Sequence, residues 1–499
     1  EDPRIAAVGL YIEGLRDVAS FSRAAARALE KGIPVVALKV GKSELGAQVA
    51  LSHTSSLAGS DRLYQALFDR LGIIRVPSIP GLLETLKLLT VTGPLAGSRL
   101  SAFTCSGGES ALMADLAEQA GLSFPELTAD QVTELRPRLP VFATISNPLD
   151  YNTAIWGDVA AVEHCFATVM TGDFDANVLV IDYPTPEAGN RSSWDASIDG
   201  FIAAYKATGR PAVVASSLPE LLPQEARARL LANGIAPLQG FSEAVDALGA
   251  AARYPRRREA LLAGGGGESL AVPPPGPPPK TATLRDEWTG KRELAAFGLP
   301  VPDGRLVSGA EAPAAAARIG FPVALKAVSA RLAHKTEAGA IALDLRTEGE
   351  VEAAVARVSA KLATIEPGPG RFLVERMAGG AVAEMIVGVK RDESFGLALV
   401  VGSGGVLVEL VHDSATLLLP TDRPAVVEAL GSLKVATLLS GYRTGRKGDF
   451  AAAIDAVMAV ADFATAHRDR LIELDVNPLM VLSAGEGVGA VDALVRMAD

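Results

Sequence analysis

Residues 5–40, IAAVGLYIEGLRDVASFSRAAARALEKGIPVVALKV, decide the fold class of the N-terminal part of the chain. Two apolar runs, Ile5–Ile12 and Ile33–Val40, flank a segment whose apolar residues recur at helical spacing. The order strand, helix, strand predicts a parallel pair, because parallel neighbours need a crossover connection. Ligands of such sheets bind at the carboxyl ends of the strands, so the residues after each run are candidate site residues.

His53 lies in the loop after the second predicted strand, within KVGKSELGAQVALSHTSSLAGSD at residues 39–61. Small hydroxyl residues surround it, and these can donate hydrogen bonds to an anion. A neutral imidazole has one nucleophilic ring nitrogen while a partner holds the other. The loop therefore fits either a histidine that carries a phosphoryl group or a turn histidine bonded to a nearby carbonyl. Glu13, directly after the first strand, falls at the same edge of the predicted sheet.

Composition narrows the functional class. The 499 residues predict about three domains, and a net charge of −11 argues against nucleic acid or an anionic membrane as the main partner. Two cysteines exclude a disulfide framework and fit a reducing cytoplasm. The sequence has no apolar run long enough to span a membrane and no signal peptide at its start. It opens without Met and soon enters a strand, so we expect a further segment before it.

A second α/β unit is predicted from Arg99 to about Arg258. Its first strand, Leu100–Thr104, runs into CSGGES at residues 105–110 and then a helix. Backbone N–H groups and the positive end of the helix dipole would point at an anion there, although Gly-Gly before a helix is also common for tight packing alone. The apolar residues expected on one face of this helix are Leu112, Leu116 and Ala120. The candidate phosphate-binding residues at its start are Ser106, Gly107 and Gly108.

A glycine- and proline-rich linker is predicted at residues 261–280, where the glycines would allow a swivel and the prolines would space its ends apart. The region after it is α+β in character, with a helix near Arg285–Phe297 and a glycine loop at Gly402–Gly405. Lys326 lies inside the apolar strand PVALKAV of residues 322–328. A buried ammonium there is costly unless it meets an anion, and the alternative is a lysine that reaches solvent at a strand edge.

Two further groups of polar residues stand out in the C-terminal region. His334 lies in the polar turn LAHKTEAG at residues 332–339, whereas His164 and His467 fall on predicted helices and are interpreted as structural. Oxygen-bearing residues alternate along ELDVNPL and share one face of its strand, which Asp492 on the next strand can join. These residues are Glu473, Asp475 and Asn477. They fit an Mg²⁺ site, with an exposed charged sheet face as the alternative.

Seven motifs in this order resemble those of the ADP-forming acyl-CoA synthetases, relatives of succinyl-CoA synthetase. They are YIEG at 11–14, SHTSSLAGSD at 52–61, SGGES at 106–110, NPLD at 147–150, HKTEAG at 334–339, VGVKRD at 387–392 and ELDVNPL at 473–479. The resemblance implies an α/β fold with two flavodoxin-like parallel-sheet domains followed by an ATP-grasp (α+β) domain. The expected ranges are 1–96 for the domain with the phosphohistidine loop, 97–260 for the second flavodoxin-like domain, 261–280 for the linker and 281–499 for the ATP-grasp domain.

The resemblance also implies roles for individual residues. ATP in the ATP-grasp cleft would phosphorylate His334, the phosphoryl group would pass to His53, and Glu13 would hydrogen-bond the phosphorylated imidazole. The helix start at Ser106 to Gly108 would stabilise the phosphohistidine. The expected nucleotide-binding residues are Lys326 on the phosphates, Glu375 to Met377 as the adenine hinge, and Glu384. The expected Mg²⁺ ligands are Asn477 and Asp492.

The implied reaction converts a carboxylic acid, ATP and CoA into acyl-CoA, ADP and phosphate through two phosphohistidines and an acyl phosphate. The family's CoA-binding domain is expected before residue 1, so most of the CoA site would lie outside this chain. No nucleic acid or membrane is expected as a partner, and relatives assemble as dimers or larger. The alternatives are a non-catalytic acyl-CoA- or nucleotide-sensing scaffold of a protein acetyltransferase and an ATP-grasp carboxylate–amine ligase.

Overall fold

The chain forms two compact units, one built mainly from residues before Val272 and one mainly from Val272–Asp499. The computed structural model describes residues 2, 4–43, 61–151, 155–185, 189–276, 281–328, 340–362, 370–404, 413–442 and 445–499. Among the helices described there, none has the length and apolar character needed to cross a bilayer.

The N-terminal part alternates strands and helices. Its strands are β1 (Val8–Ile12), β2 (Val35–Lys39), β3 (Ile74–Arg75), β4 (Leu100–Thr104), β5 (Leu149–Asp150), β6 (Ala176–Val180), β7 (Ala212–Ser216) and β8 (Ala236–Gln239). Its helices are α1 (Val18–Glu30), α2 (Asp61–Leu71), α3 (Ile79–Val91), α4 (Gly107–Gln119), α5 (Ala129–Leu135), α6 (Val159–Met170), α7 (Ser192–Thr208), α8 (Gln224–Ala232), α9 (Phe241–Ala263) and α10 (Gly267–Leu270). A 3₁₀ turn lies at Pro219–Leu221.

Two parallel sheets form in this part, in the orders β1-β2-β3 and β5-β4-β6-β7-β8. Strands β2, β4, β6 and β7 are buried along their whole length, as expected for strands of a parallel sheet covered by helices on both faces. One apolar core runs from Val36 and Leu38 of the first sheet through Leu88 of α3 to Leu100 and Ala102 of the second. The two sheets therefore share an interior.

The C-terminal part is richer in strands. These are β9 (Ala282–Arg285), β10 (Gly304–Ser308), β11 (Val323–Val328), β12 (Ile341–Leu345), β13 (Arg371–Arg376), β14 (Ala383–Asp392), β15 (Gly396–Ser403), β16 (Ser414–Leu418), β17 (Leu471–Val481), β18 (Val488–Ala490) and β19 (Ala493–Ala498). The helices are α11 (Glu287–Ala295), α12 (Ala312–Ile319), α13 (Glu348–Leu362), α14 (Arg423–Gly431), α15 (Lys434–Leu439) and α16 (Phe450–Ala466). A 3₁₀ turn at Gly309–Glu311 precedes α12.

These strands build two antiparallel sheets, in the orders β10-β13-β11-β12 and β16-β15-β14-β17-β19-β9, with β18 paired to β17. Helices α12 and α13 cover the first sheet and bury Val323, Leu325 and Phe372. The second sheet packs against α14, α15 and α16, where Val457 and Phe463 are fully enclosed. Each of these two sheets thus has its own apolar core.

The predicted fold class is confirmed, because parallel sheets precede an α+β region of the predicted kind. The domain boundaries at 96, 260 and 280 stay predictions. Part of the predicted linker is ordered: α10 lies within it, and the Gly267 N–H donates to Glu30 Oε1 over 2.8 Å.

Three local predictions differ in part from the structure. Leu112 is 46% exposed while α4 buries Met113 and Ala117, although Ala120 of the predicted face is buried and Leu116 packs against the core. The helix predicted near Arg285–Phe297 is present as α11, but Arg285 ends an edge strand and Asp286 caps the helix by accepting from the Thr289 N–H. Gly402 pairs with Ser414 inside β15, so the strand continues where a glycine loop was expected.

Candidate active site

Four charged side chains meet in the interior of the C-terminal unit, and at most 5% of each residue is exposed. They are Lys326 of β11, Glu375 of β13, and Glu287 and Lys291 of α11. Glu287 and Lys291 are four residues apart on one helix face. Strand β11 pairs with β13 so that Ala324 is opposite Glu375, and Lys326, two residues on, projects from the same face. Two sheet positions and two helix positions therefore converge.

The contacts within this tetrad are close. Lys326 Nζ donates to Glu287 Oε1 over 2.8 Å and lies 3.1 Å from Glu375 Oε2. Lys291 Nζ donates to both carboxylate oxygens of Glu375 over 2.9 Å and lies 3.0 Å from Glu287 Oε1. Both ammonium groups also donate to the Val491 carbonyl, Lys291 over 2.6 Å. Two cations and two anions thus balance in the interior.

The electrostatics of the tetrad keep Lys326 charged. Burial opposes its charge, but the carboxylates of Glu287 and Glu375, with Asp492 nearby, outweigh burial and raise the pKa of Lys326 above its ordinary value. Burial and the neighbouring Lys326 ammonium instead lower the pKa of Lys291. The alternative of a lysine that reaches solvent at a strand edge is wrong, because Lys326 is enclosed. A charge held in so dry a place interacts strongly with any anion that reaches it.

Glu287 and Lys291 were missed in the sequence. The only signal was an E-x-x-x-K spacing at the start of a helix, and that pattern is also typical of an exposed helix face with a weak ion pair. What distinguishes this pair is its contact with residues of β11 and β13. Glu287 contacts Lys326, 39 residues later in the sequence, and Lys291 contacts Glu375, 84 residues later.

The other predicted nucleotide-binding residues lie around β13 and β14. Met377 follows β13, and its N–H donates to the Pro322 carbonyl over 3.0 Å. Glu384 is an exposed residue of β14 whose carbonyl accepts from the Gly404 N–H over 2.7 Å. The structure brings Glu375 and Lys326 together, and among the described residues no contact joins Met377 or Glu384 to the tetrad.

Oxygen-bearing residues lie beside the tetrad, where β17 meets the turn before β19. The Asn477 N–H donates to the Asp492 carbonyl over 3.3 Å. Burial, then Asp492 and Glu473, raise the pKa of Asp475. Asp492 follows β18 rather than lying in it, which corrects the predicted strand end. Within the described ranges, no group of three His, Cys, Asp or Glu residues is arranged so that it could hold a metal ion. An amide and carboxylates nevertheless match Mg²⁺, which takes one or two protein carboxylates and completes its shell with other oxygens.

In the N-terminal unit the predicted anion site is a well-formed helix start. The Ser106 hydroxyl accepts from the Glu109 N–H over 3.3 Å, and Glu109 Oε2 accepts from the Cys105 N–H over 3.3 Å. Gly107 and Gly108 are exposed, and no described residue accepts from either N–H. Two donors at the positive end of a helix thus face outward.

Acidic residues surround this helix start, and the sequence interpretation missed them. Burial, then the charge of Asp182, raise the pKa of Glu109. The Ser217 N–H and hydroxyl both donate to Asp182, the former over 2.7 Å. Burial and Glu109 also raise the pKa of the Cys105 thiol to about 12. A neutral thiol is a poor nucleophile, so thiolate chemistry at Cys105 is disfavoured.

The five histidines divide into two groups. His164 Nε2 of α6 lies 2.9 Å from Glu134 Oε1, and His467 Nδ1 lies 2.8 Å from the Phe463 carbonyl at the end of α16. Both lie on or at the end of helices, as predicted. His53, His334 and His412 lie outside the described residues. Glu13 is exposed directly after β1, at the edge where the parallel strand β2 also ends.

Comparison with known proteins connects these features. Residues 279–497 match the family model of an ATP-grasp domain, and residues 1–89 match that of a succinyl-CoA ligase like flavodoxin domain. A trans-feruloyl-CoA synthase from an unknown prokaryotic organism is 30% identical over 496 residues, covering 98% of this chain and 68% of the relative. An ADP-forming acetate–CoA ligase of Archaeoglobus fulgidus is 30% identical over 497 residues, covering 96% and 68%.

The chain belongs to the ADP-forming acyl-CoA synthetase family. It is accordingly an enzyme of the ligase class. A solved acetyl-coenzyme A synthetase 1 from Ca. Korarchaeum cryptofilum, in complex with coenzyme A, Ca-AMPCP and HgCl⁺, is 30% identical with a TM-score of 0.41 and covers 43% of this chain and 93% of that one. The alternative of a protein acetyltransferase scaffold gains no support from these relatives.

Proposed function

We propose that this ADP-forming acyl-CoA synthetase activates its acid by a phosphoryl relay through two histidines, with ATP entering at the buried tetrad. The observation that carries the proposal is Lys326, an ammonium kept charged in the interior beside Asp492. Catalysis of phosphoryl transfer consists largely of positioning and charge stabilisation, and a desolvated cation beside oxygen ligands is suited to both.

Two of the residues proposed for the nucleotide half, Lys326 and Glu375, lie 3.1 Å apart. Lys326 would contact the phosphates of ATP, and the chain around Glu375 and Met377 would face the adenine, with Glu384 as a further contact. Asn477 and Asp492 would hold Mg²⁺, whose charge would neutralise phosphate oxygens. These roles follow from the family resemblance together with the proximity of Lys326, Glu375 and Asp492.

The relay itself needs two imidazoles. His334 would attack the γ-phosphorus of ATP, forming a nitrogen–phosphorus bond as the bond to ADP breaks. His53 would then take the phosphoryl group from His334, with Glu13 accepting a hydrogen bond from the other ring nitrogen. The free N–H groups of Gly107 and Gly108 would stabilise the phosphohistidine.

Acyl transfer completes the cycle. The substrate carboxylate would take the phosphoryl group from His53, giving an acyl phosphate and free imidazole. The CoA thiolate would then attack the acyl carbon and release phosphate, with the thiol proton passing to solvent. CoA would bind mostly to protein beyond this chain. We further propose a homodimer or larger assembly in the cytoplasm, with no nucleic acid or membrane partner; the two free cysteines fit a reducing compartment.

Incubation with γ-labelled ATP tests the relay. We expect protein-bound label that is lost in acid and stable in base, as for a phosphoramidate. A sensor scaffold without the phosphorylated histidine would take up no label. A carboxylate–amine ligase would also leave its protein unlabelled, because its acyl phosphate forms on the substrate. Absence of protein-bound label would contradict the proposal.

A further inference from the structure

The Lys326 ammonium group has as many acceptor groups around it as it has N–H donors. A lysine ammonium has three N–H groups, and Nζ of Lys326 has three acceptor groups within reach: the carboxylates of Glu287 and Glu375 and the carbonyl of Val491. A phosphate oxygen can therefore bind Lys326 only if at least one of these acceptors is given up. Whatever allows that exchange controls access of the nucleotide to the lysine.

Lys291 contacts the same three acceptors. Its Nζ lies 3.0 Å from the same oxygen of Glu287, 2.9 Å from both oxygens of Glu375 and 2.6 Å from the same carbonyl of Val491. Each acceptor of the tetrad is thus held by two ammonium groups. If Lys326 turns away, every acceptor that it leaves still has a charged donor.

The energetic consequence depends on burial. Glu287 and Glu375 are 2% and 3% exposed, so water is a poor substitute for a lost partner. An unpaired carboxylate in such a place is strongly unfavourable, because its desolvation is no longer offset. Without a second cation, Lys326 would be bound to its carboxylates and withheld from the nucleotide.

We propose that Lys291 is a positioning residue that takes over Glu287, Glu375 and Val491 when Lys326 turns to a phosphate group of the bound nucleotide. The inference rests on the proposed nucleotide role of Lys326. It makes the tetrad an exchange site in which one lysine is held for structure and the other is released for binding.

Replacement of Lys291 by methionine removes the second cation, so Lys326 becomes the one ammonium group that the tetrad keeps beside its two buried carboxylates. We expect the Kd of ATP to rise about tenfold or more. Adenosine has no phosphate for Lys326, so its Kd should stay within about twofold of the wild-type value. Calorimetric titration of the 499-residue chain measures both. Lys206→Met, an exposed lysine of α7, is the matched control and should change neither.

Two further variants separate exchange from folding. Lys291→Arg keeps the charge and should bind ATP better than Lys291→Met. Should Lys291→Met fail to fold, the charge-balanced double variant Glu287→Gln with Lys291→Met replaces it. Compared with Glu287→Gln alone, the double variant should bind ATP more weakly and adenosine equally well.

Equal loss of ATP and adenosine affinity would overturn the inference, as would unchanged ATP affinity in Lys291→Met. ATP affinity unchanged in Lys326→Met would overturn it together with the proposed role of Lys326. The histidine relay is tested separately: absence of phosphohistidine combined with the expected binding pattern would refute the relay and leave the lysine exchange standing.

Discussion

A lysine in the middle of an apolar strand shows how far single residues could be interpreted from the sequence. PVALKAV predicted that Lys326 needs an anion, and the structure provides two carboxylates. Their identity was not predictable from local sequence, because Glu375 reaches Lys326 through the pairing of β11 with β13, and Glu287 reaches it from α11. The clustering of Glu473, Asp475 and Asp492 was predicted better, since alternation along one strand places carboxylates on one face. Their role as metal ligands stays a prediction.

Glu109 gives a prediction at the same scale. Burial and Asp182 raise its pKa in the folded protein above the ordinary value of 4.5. The folded state therefore holds this proton more tightly than the unfolded state, and its contribution to stability is present below pH 4.5 and is lost as pH rises through the folded pKa. The unfolding temperature of Glu109→Gln should therefore rise relative to that of the wild-type protein as pH increases from acid to neutral.

Thermal unfolding of both proteins across that pH range measures the difference. Glu118→Gln, on the exposed side of the same helix, is the control for removing one carboxylate from α4. A constant difference for Glu109→Gln would contradict the assigned burial and charge environment.

Helices and strands were predicted well where residues close together in the sequence determine them. Strand β4 has the predicted bounds, and strands β1, β2 and β11 lie within the predicted apolar runs, since each run is continuous and largely apolar. β9 was missed: it pairs with β19 more than two hundred residues later, and no local pattern encodes such an edge partner. On α4 the prediction failed at Leu112, because the next residue, Met113, is also apolar and is the one that the core buries.

Helix α4 carries an element-scale prediction. Ser106→Ala removes the hydroxyl that accepts from the Glu109 N–H, and should lower the free energy of unfolding by about 1 kcal/mol. Ser106→Asp keeps an N-cap acceptor but places a negative charge where a phosphoryl group is proposed to bind. It should therefore preserve stability and reduce acyl-CoA formation by the full-length enzyme. Unfolding curves and a coupled ADP assay give the two readouts, and a fully active Ser106→Asp enzyme would argue against an anion site here.

For the whole molecule, the motif order indicated the family before any contact was known, and the sheets and relatives agree with it. Composition alone could not have indicated the family, since many unrelated α/β proteins have the same composition. The relay joins His53 and His334, which are far apart in the chain, so it depends on the protein as a whole rather than on one motif.

Mapping of phosphorylated peptides after incubation with ATP tests this relay most directly. Wild-type protein should carry phosphohistidine at residues 53 and 334, His53→Ala should carry it only at His334, and His334→Ala should carry none. His53→Ala should also release ADP in a single turnover without forming acyl-CoA. Phosphorylation of His53 at the wild-type level in His334→Ala, or no phosphohistidine in the wild-type protein, would contradict the relay.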